Sequence, residues 1–312
     1  MNDLTIAYII FNRPRHTRET FEAIRAQRPA KLFIIADGPR PSHSTDAERC
    51  QAVRDLVSHI DWPCEVQRNY AEQNLGLKRR ISSGLNWVFT HVESAIILED
   101  DCLPHPDFFG FCQNLLERYK DDERIWVVTG NNFQNGKKRG DASYYFSKFG
   151  HVWGWAPWRR AWQHYDGDIA FWPEWKQSAD WRQKMPDPFE QRYWIDILDR
   201  MYQHKIDTWD YPWLACMWYH GALTATPKVN LVTNIGIGPD GTHTLALEDQ
   251  PGTPVAPLGQ LMHPTKIEQN LVADQYIFDY LLEGRNQKFP RKYLAFPRRV
   301  KNKLVRVLKG LP

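Results

Sequence analysis

The feature that most constrains this 312-residue chain is a series of short apolar runs, spaced by helix-length segments, through its first hundred residues. Residues 4–11 (LTIAYIIF), 31–36 (KLFIIA) and 95–98 (AIIL) are continuous apolar runs of strand length, as expected for strands covered on both faces. Residues 64–68 read as a further short strand. Between them, Thr17 is a candidate cap for a helix that turns Phe21 and Ile24 inward. Residues 46–60 place Val53, Leu56, Val57 and Ile60 on one helical face, and residues 78–91 do the same with Ile81, Leu85, Val88 and Phe89. Repeated strand–helix units predict an α/β fold with a mostly parallel central sheet flanked by helices. Ligands of such sheets bind outside the carboxyl ends of the strands. Three of these strands end in polar groups, Asn12-Arg13, Asp37-Gly38 and Glu99-Asp100-Asp101, which should converge on one rim.

The acidic triplet is the most informative of the three. Consecutive carboxylates at the end of a buried strand repel one another and lose hydration, and a divalent cation relieves both costs. Hard ions such as Mg²⁺ or Mn²⁺ take oxygen ligands, typically one or two carboxylates together with substrate phosphates. A cation held in this way neutralises a departing diphosphate. Taken alone, the triplet is equally compatible with a solvated acidic turn.

Beyond residue 130 the character changes. Many of the 14 Trp lie between residues 153 and 218, punctuated by Gly and Pro, before residues 229–235 return to a strand pattern. Most of these rings are expected in a core. Trp153-Gly154-Trp155 reads as an exception, an aromatic platform for the apolar face of a sugar, with Gly154 allowing close approach to the backbone. Asp210, in the segment TWDYPW, is the candidate general base, its aromatic neighbours desolvating the carboxylate. The competing reading is a cap for the helix that follows.

Several segments together resemble the GT-A-fold glycosyltransferases, in particular bacterial relatives of the N-acetylglucosaminyltransferase I-like group. They are AYIIFNRP, NLGLKRRISSGLNWVF, IILEDDCLPHPDFF, FGHVWGWAPWRRAW, WDYPW and KVNLVTNIGIGPDGTHT, spanning about residues 4 to 244. The resemblance implies a Rossmann-like GT-A catalytic domain over 1–250, with a nucleotide-sugar half at 1–130 and an aromatic-rich acceptor half at 131–250. A C-terminal extension would occupy 251–312. It further implies that Asp101 is the direct metal ligand, with Glu99 and Asp100 arranging ribose and metal waters, and Mn²⁺ or Mg²⁺ as cofactor. Phe11, Asn12 and Arg13 would line the nucleotide pocket, Asp37 would meet the uracil or ribose of a UDP-sugar, and Asn74 and Lys78 would contact base or phosphate. His243 resembles a later histidine that completes the metal shell in many GT-A enzymes, although the N-acetylglucosaminyltransferase I pattern does not rely on it. Asp37 as turn chemistry, Lys78 as a solvated helix start and His243 as a surface residue remain open. The expected activity is inverting transfer of a sugar to a glycan or lipid-linked acceptor. A sugar-phosphate nucleotidyltransferase is disfavoured because residues 8–18 lack the Gly-rich loop that handles a triphosphate. A non-catalytic carbohydrate-binding protein is disfavoured by the intact acidic residues.

Charge is distributed unevenly. Residues 285–312 carry ten Lys or Arg and no acid, leaving a body with 30 basic against 37 acidic residues. That pattern argues against nucleic acid as a partner. Residues 298–311 pattern as a basic amphipathic helix, suited to contact with an anionic membrane surface. Five Cys without a C-x-x-C pair fit a reducing compartment. With no basic, apolar leader and no run of about 20 apolar residues, the expected location is cytoplasmic, at the inner face of the membrane.

Overall fold

A computed structural model describes residues 3–236 and 254–288. Ten strands are present among them: β1 (Thr5–Ile10), β2 (Lys31–Ala36), β3 (Glu65–Tyr70), β4 (Ile96–Glu99), β5 (Cys102–Pro104), β6 (Ile125–Thr129), β7 (Tyr144–Ser147), β8 (Trp155–Pro157), β9 (Leu223–Pro227) and β10 (Val232–Asn234). The helices are α1 (Pro14–Gln27), α2 (Asp46–Leu56), α3 (Leu77–His91), α4 (Pro106–Arg118), the short α5 (Arg159–Trp162), α6 (Trp172–Trp175) and α7 (Ala179–Lys184), then α8 (Pro188–Tyr202), α9 (Asp210–Tyr219) and α10 (Leu271–Tyr276).

Eight strands form one mixed sheet in the order β3-β2-β1-β4-β8-β6-β9-β7. The first four are parallel. β8 runs antiparallel between β4 and β6, and β7 runs antiparallel to β9. Side chains alternate across the sheet with a period of two. Ile6, Tyr8 and Ile10 join Leu32, Ile34, Ile96 and Leu98 on the face covered by Phe21 and Ile24 of α1 and Phe108 of α4. Ala7, Ile9, Phe33, Ile35 and Ile97 join the opposite face, covered by Ile81 and Leu85 of α3 and Trp213 of α9. The protein is therefore a three-layer α/β structure, as its run-and-helix pattern predicts.

A third apolar cluster packs Trp172, Trp175, Trp181, Trp194 and Trp218 among α6 to α9. Most tryptophans of the second half are thus core residues. Thr17 does not cap α1. The helix begins at Pro14, whose fixed φ suits the first turn, and the Thr17 hydroxyl donates back to the Arg13 carbonyl at 3.0 Å. Among the described residues, no helix is long and apolar enough to cross a membrane.

The chain order along the sheet reverses at β1, which lies between β2 and β4. A crevice opens at such a reversal because the connections leave in opposite directions. The residues that follow β1 and β4 are Phe11-Asn12-Arg13 and Asp100-Asp101. A separate antiparallel pair, β10 with β5, brings Asn234 opposite Cys102, next to the acidic triplet.

Candidate functional site

A cleft of about 520 Å³ lies over the β1/β4 reversal, and Phe11, Asn12, Arg13, Asp37, Glu99 and Asp100 are on its wall. Three strand ends therefore converge on one rim, and Asn74 lines the same space.

Arg13 organises the acidic turn. Its Nη2 donates to Asp100 Oδ1 at 2.6 Å and lies 3.0 Å from Asp101 Oδ2. The Phe11 amide adds a longer contact to Asp100 Oδ2 at 3.4 Å. The Glu99 carboxylate accepts no hydrogen bond among the described residues. Burial, then the charges of Asp101 and Asp100, push its carboxyl up to about 8, against the opposing pull of Arg13. Burial likewise raises Asp100, partly offset by Arg13. One guanidinium against three carboxylates leaves the turn short of positive charge, and that deficit is what a divalent cation would remove.

Among the described residues, no three Asp, Glu, His or Cys side chains are grouped to hold a metal by themselves. The oxygens present fit a cation that takes one or two carboxylates and fills its shell with phosphate and water. Among the described residues nothing donates to the Glu99 carboxylate, and Asp100 and Asp101 each keep one oxygen away from Arg13. Asp101 is more enclosed than the sequence suggests. A Cβ on Gly236 would fall 2.4 Å from Asp101 Oδ2 and 2.7 Å from Arg13 Nη1, so only glycine permits this crossing of the chain. Ile235 N also donates to the Asp101 carbonyl at 2.8 Å. His243, the second expected ligand, lies outside the described residues.

Asp37 is buried, and it braces the loop opposite. Its Oδ1 accepts from the amides of Gly38 at 2.8 Å and Leu75 at 2.9 Å, and its Oδ2 accepts from Asn74 Nδ2 at 3.0 Å. Burial nevertheless raises its carboxyl above the ordinary range. Its turn chemistry and its place on the cleft coexist. Asn12 Nδ2 donates to Asp46 Oδ1 at 2.7 Å, and Arg40 grips the same carboxylate with Nε at 2.6 Å and Nη2 at 3.0 Å. Arg40 holds Asp46 down to about 2 and sits 5.3 Å from the Phe11 ring centroid.

Lys78 is not brought to the cleft with the other expected residues. It is absent from the cleft wall, and its Nζ lies 3.4 Å from Asp168 Oδ1, because the first turn of α3 aims it towards residues 167–168. Gly76, Leu77 and Arg80 of the same segment do line the cleft. Arg40, Arg49, Arg80 and Asp207 are cleft residues that the sequence reading missed. Arg40 and Arg49 follow Asp37 by three and twelve residues, so a search for cations after the second strand could have found them. Asp207 carried no local signal.

Asp210 begins α9, with Trp209 rather than Asp210 at the cap position. The Thr208 hydroxyl bonds its carboxylate. Its charge raises Glu99, which puts it within electrostatic reach of the triplet. Three residues earlier, Asp207 stands on the cleft wall beside Gly76.

The expected aromatic platform reduces to one ring. Trp155 is fully buried and stacks on Trp209 with centroids 5.5 Å apart, so its faces are closed to a ligand. Gly154 has φ +72°, and a Cβ there would meet Val232 at 2.7 Å, so core packing rather than ligand approach requires the glycine. Trp153 alone is partly exposed, its amide donating to Asn131 Oδ1 at 3.0 Å and its ring edge-on to Phe133.

No protein-family model and no curated protein sequence matches the chain. Solved structures similar to it include a mannosyltransferase from Pyrobaculum calidifontis in complex with GDP-Man and Mn²⁺, at 13% identity and TM-score 0.34. That match covers 52% of this chain and 46% of the mannosyltransferase, so less than half of that protein's length is represented. Mouse xyloside xylosyltransferase 1 is similar at 11% identity over 70% of this chain and 83% of its own, with TM-score 0.37. A UDP-glucose pyrophosphorylase complexed with UDP-glucose is similar at 10% identity over 52% and 78%, with TM-score 0.29. These proteins include both glycosyltransferases and a nucleotidyltransferase. At such scores the reaction has to be argued from the residues of this chain.

Proposed function

We propose that the chain is an inverting, metal-dependent glycosyltransferase that moves a sugar from a nucleotide-diphosphate donor, a UDP-sugar by its motifs, to a hydroxyl of a glycan or glycolipid. The observation that carries this reading is the cleft at the β1/β4 reversal. Arg13, Asp37, Asn74, Glu99 and Asp100 share its wall, and Asp207 stands there too, three residues before Asp210.

In this reading Asp101, with Glu99 and Asp100 beside it, would hold a divalent cation, Mn²⁺ or Mg²⁺, which would supply positive charge to offset a departing diphosphate. Arg13 contributes a fixed positive charge to the same wall. Asp37 and Asn74 hold the 73–76 loop, shaping the nucleoside end. Asp210 takes the proton of the acceptor hydroxyl as that oxygen attacks the anomeric carbon. Trp153 offers the one partly exposed face of its segment to the acceptor.

The nucleotidyltransferase reading is less well supported. The β1–α1 connection, Phe11-Asn12-Arg13, contains no glycine, and α1 starts at Pro14. A triphosphate cradle made of backbone amides needs a more open loop. The deciding experiment is thermal shift with UDP-, GDP-, CMP- and dTDP-sugars, each with and without Mn²⁺. A metal-dependent rise with one nucleotide class is expected. A rise with a nucleoside triphosphate and none with any nucleotide-sugar would overturn the proposal.

A further inference from the structure

The face of α10 turned away from the core is apolar where a solvated helix is ordinarily polar. Ala273, Asp274, Ile277 and Phe278 are buried, as the inner side requires. On the outer side, Leu271 and Val272 are each 67% exposed and Tyr280 is 45% exposed. Val272, Tyr276 and Tyr280 follow one another at four-residue spacing, which puts them on one stripe. The chain continues into a π-helical turn, Ile277–Leu281, and the Tyr276 and Tyr280 rings stack with centroids 4.3 Å apart.

Cations surround this stripe. Lys137 Nζ and Arg139 Cζ lie 5.7 and 5.3 Å from the Tyr276 ring centroid, and Arg285 Cζ lies 4.6 Å from that of Tyr280. The nearby acids are largely engaged: Asp279 by Lys288 at 2.8 Å, Asp274 by Ser147 at 2.6 Å and Gln269 at 2.8 Å, and Glu283 by Asn286 at 3.3 Å. Directly after Lys288, residues 289–312 add eight Lys or Arg and no acid.

We infer that this face, Leu271, Val272, Tyr276 and Tyr280 with Lys137, Arg139 and Arg285, is a docking surface for an anionic lipid bilayer. The apolar pair would enter the acyl boundary, the tyrosines would sit at headgroup level, and the cations would meet lipid phosphates. Charge complementarity selects the anionic leaflet. Exposed Leu and Val select lipid over a soluble polyanion, which offers them nothing apolar. The surface is distinct from the donor cleft, so it stands or falls separately from the proposed reaction.

The test is co-sedimentation of the full chain with phosphatidylcholine vesicles and with vesicles that also contain phosphatidylglycerol. Binding to the anionic vesicles alone, weakening as salt rises, is expected. Replacing the apolar pair (Leu271→Ser with Val272→Ser) should cut that binding roughly ten-fold, since two large side chains no longer leave water. The thermal midpoint should not move, because both side chains are exposed. Wild-type binding that is absent, or equal on neutral and anionic vesicles, overturns the inference. So does a serine double variant that binds as wild type, which would assign any binding to charge alone.

Discussion

At the scale of single residues, the acidic turn is a balance of one guanidinium against three carboxylates. Burial and two neighbouring carboxylates oppose the ionisation of Glu99 and push its carboxyl up to about 8. A carboxyl whose folded pKa is raised lends stability that is complete below its unfolded value and is lost as pH climbs through the folded one. Metal-free protein should therefore lose thermal midpoint between about pH 4.5 and 8, the window set by Glu99. Glu99→Gln should flatten that decline, and Mn²⁺ should raise the midpoint more at pH 8 than at pH 6. A wild-type midpoint that rises with pH across this window would contradict the charge balance. Asp210 makes a kinetic prediction. Asp210→Asn should lower kcat by roughly 10²–10⁴-fold with donor KM little changed, measured by nucleotide release. Near-normal turnover would remove its role as base.

At the scale of elements, the aromatic second half divides its rings between packing and ligand. Trp155, on the three-residue strand β8, is enclosed by Trp162, Trp209 and Trp213. Trp155→Ala should cost about 3–5 kcal/mol in denaturant unfolding, the usual loss for a large buried ring. Trp153→Ala should cost much less stability and instead raise acceptor KM. If the two variants exchange these effects, the division drawn from burial is wrong. Strands β1, β2 and β4 were legible for a plain reason: strands covered on both faces are largely apolar, and these three are. β8 escaped notice because three residues, one of them proline, carry no periodicity. That Lys78 lies off the cleft wall could not be read, because a helix start states which residues are present, not which way the first turn points.

At the scale of the whole molecule, one eight-stranded sheet passes through both the 1–130 and the 131–250 segments. β8 fills the gap between β4 and β6, so the two halves share backbone hydrogen bonds and both apolar faces. Unfolding should consequently show a single transition, coincident by near- and far-ultraviolet circular dichroism. A fragment ending at residue 130 should not fold alone, because β4 would be left without the strand at its second edge and β6 without both of its neighbours. Two separated transitions would mean that the sheet does not couple the halves.

The sequence by itself determined the layered α/β class, the order of the parallel strands' candidate segments and the polar groups at their ends. Apolar periodicity and strand length are local properties, so they can be read without coordinates. Only the tertiary structure decided that Arg13 is shared between Asp100 and Asp101, that Gly236 covers Asp101, and that Arg80 and Asp207 face one cleft. Those relations join residues up to about two hundred positions apart. They depend on where β8 docks against β4 and β10 against β5, which no local pattern records.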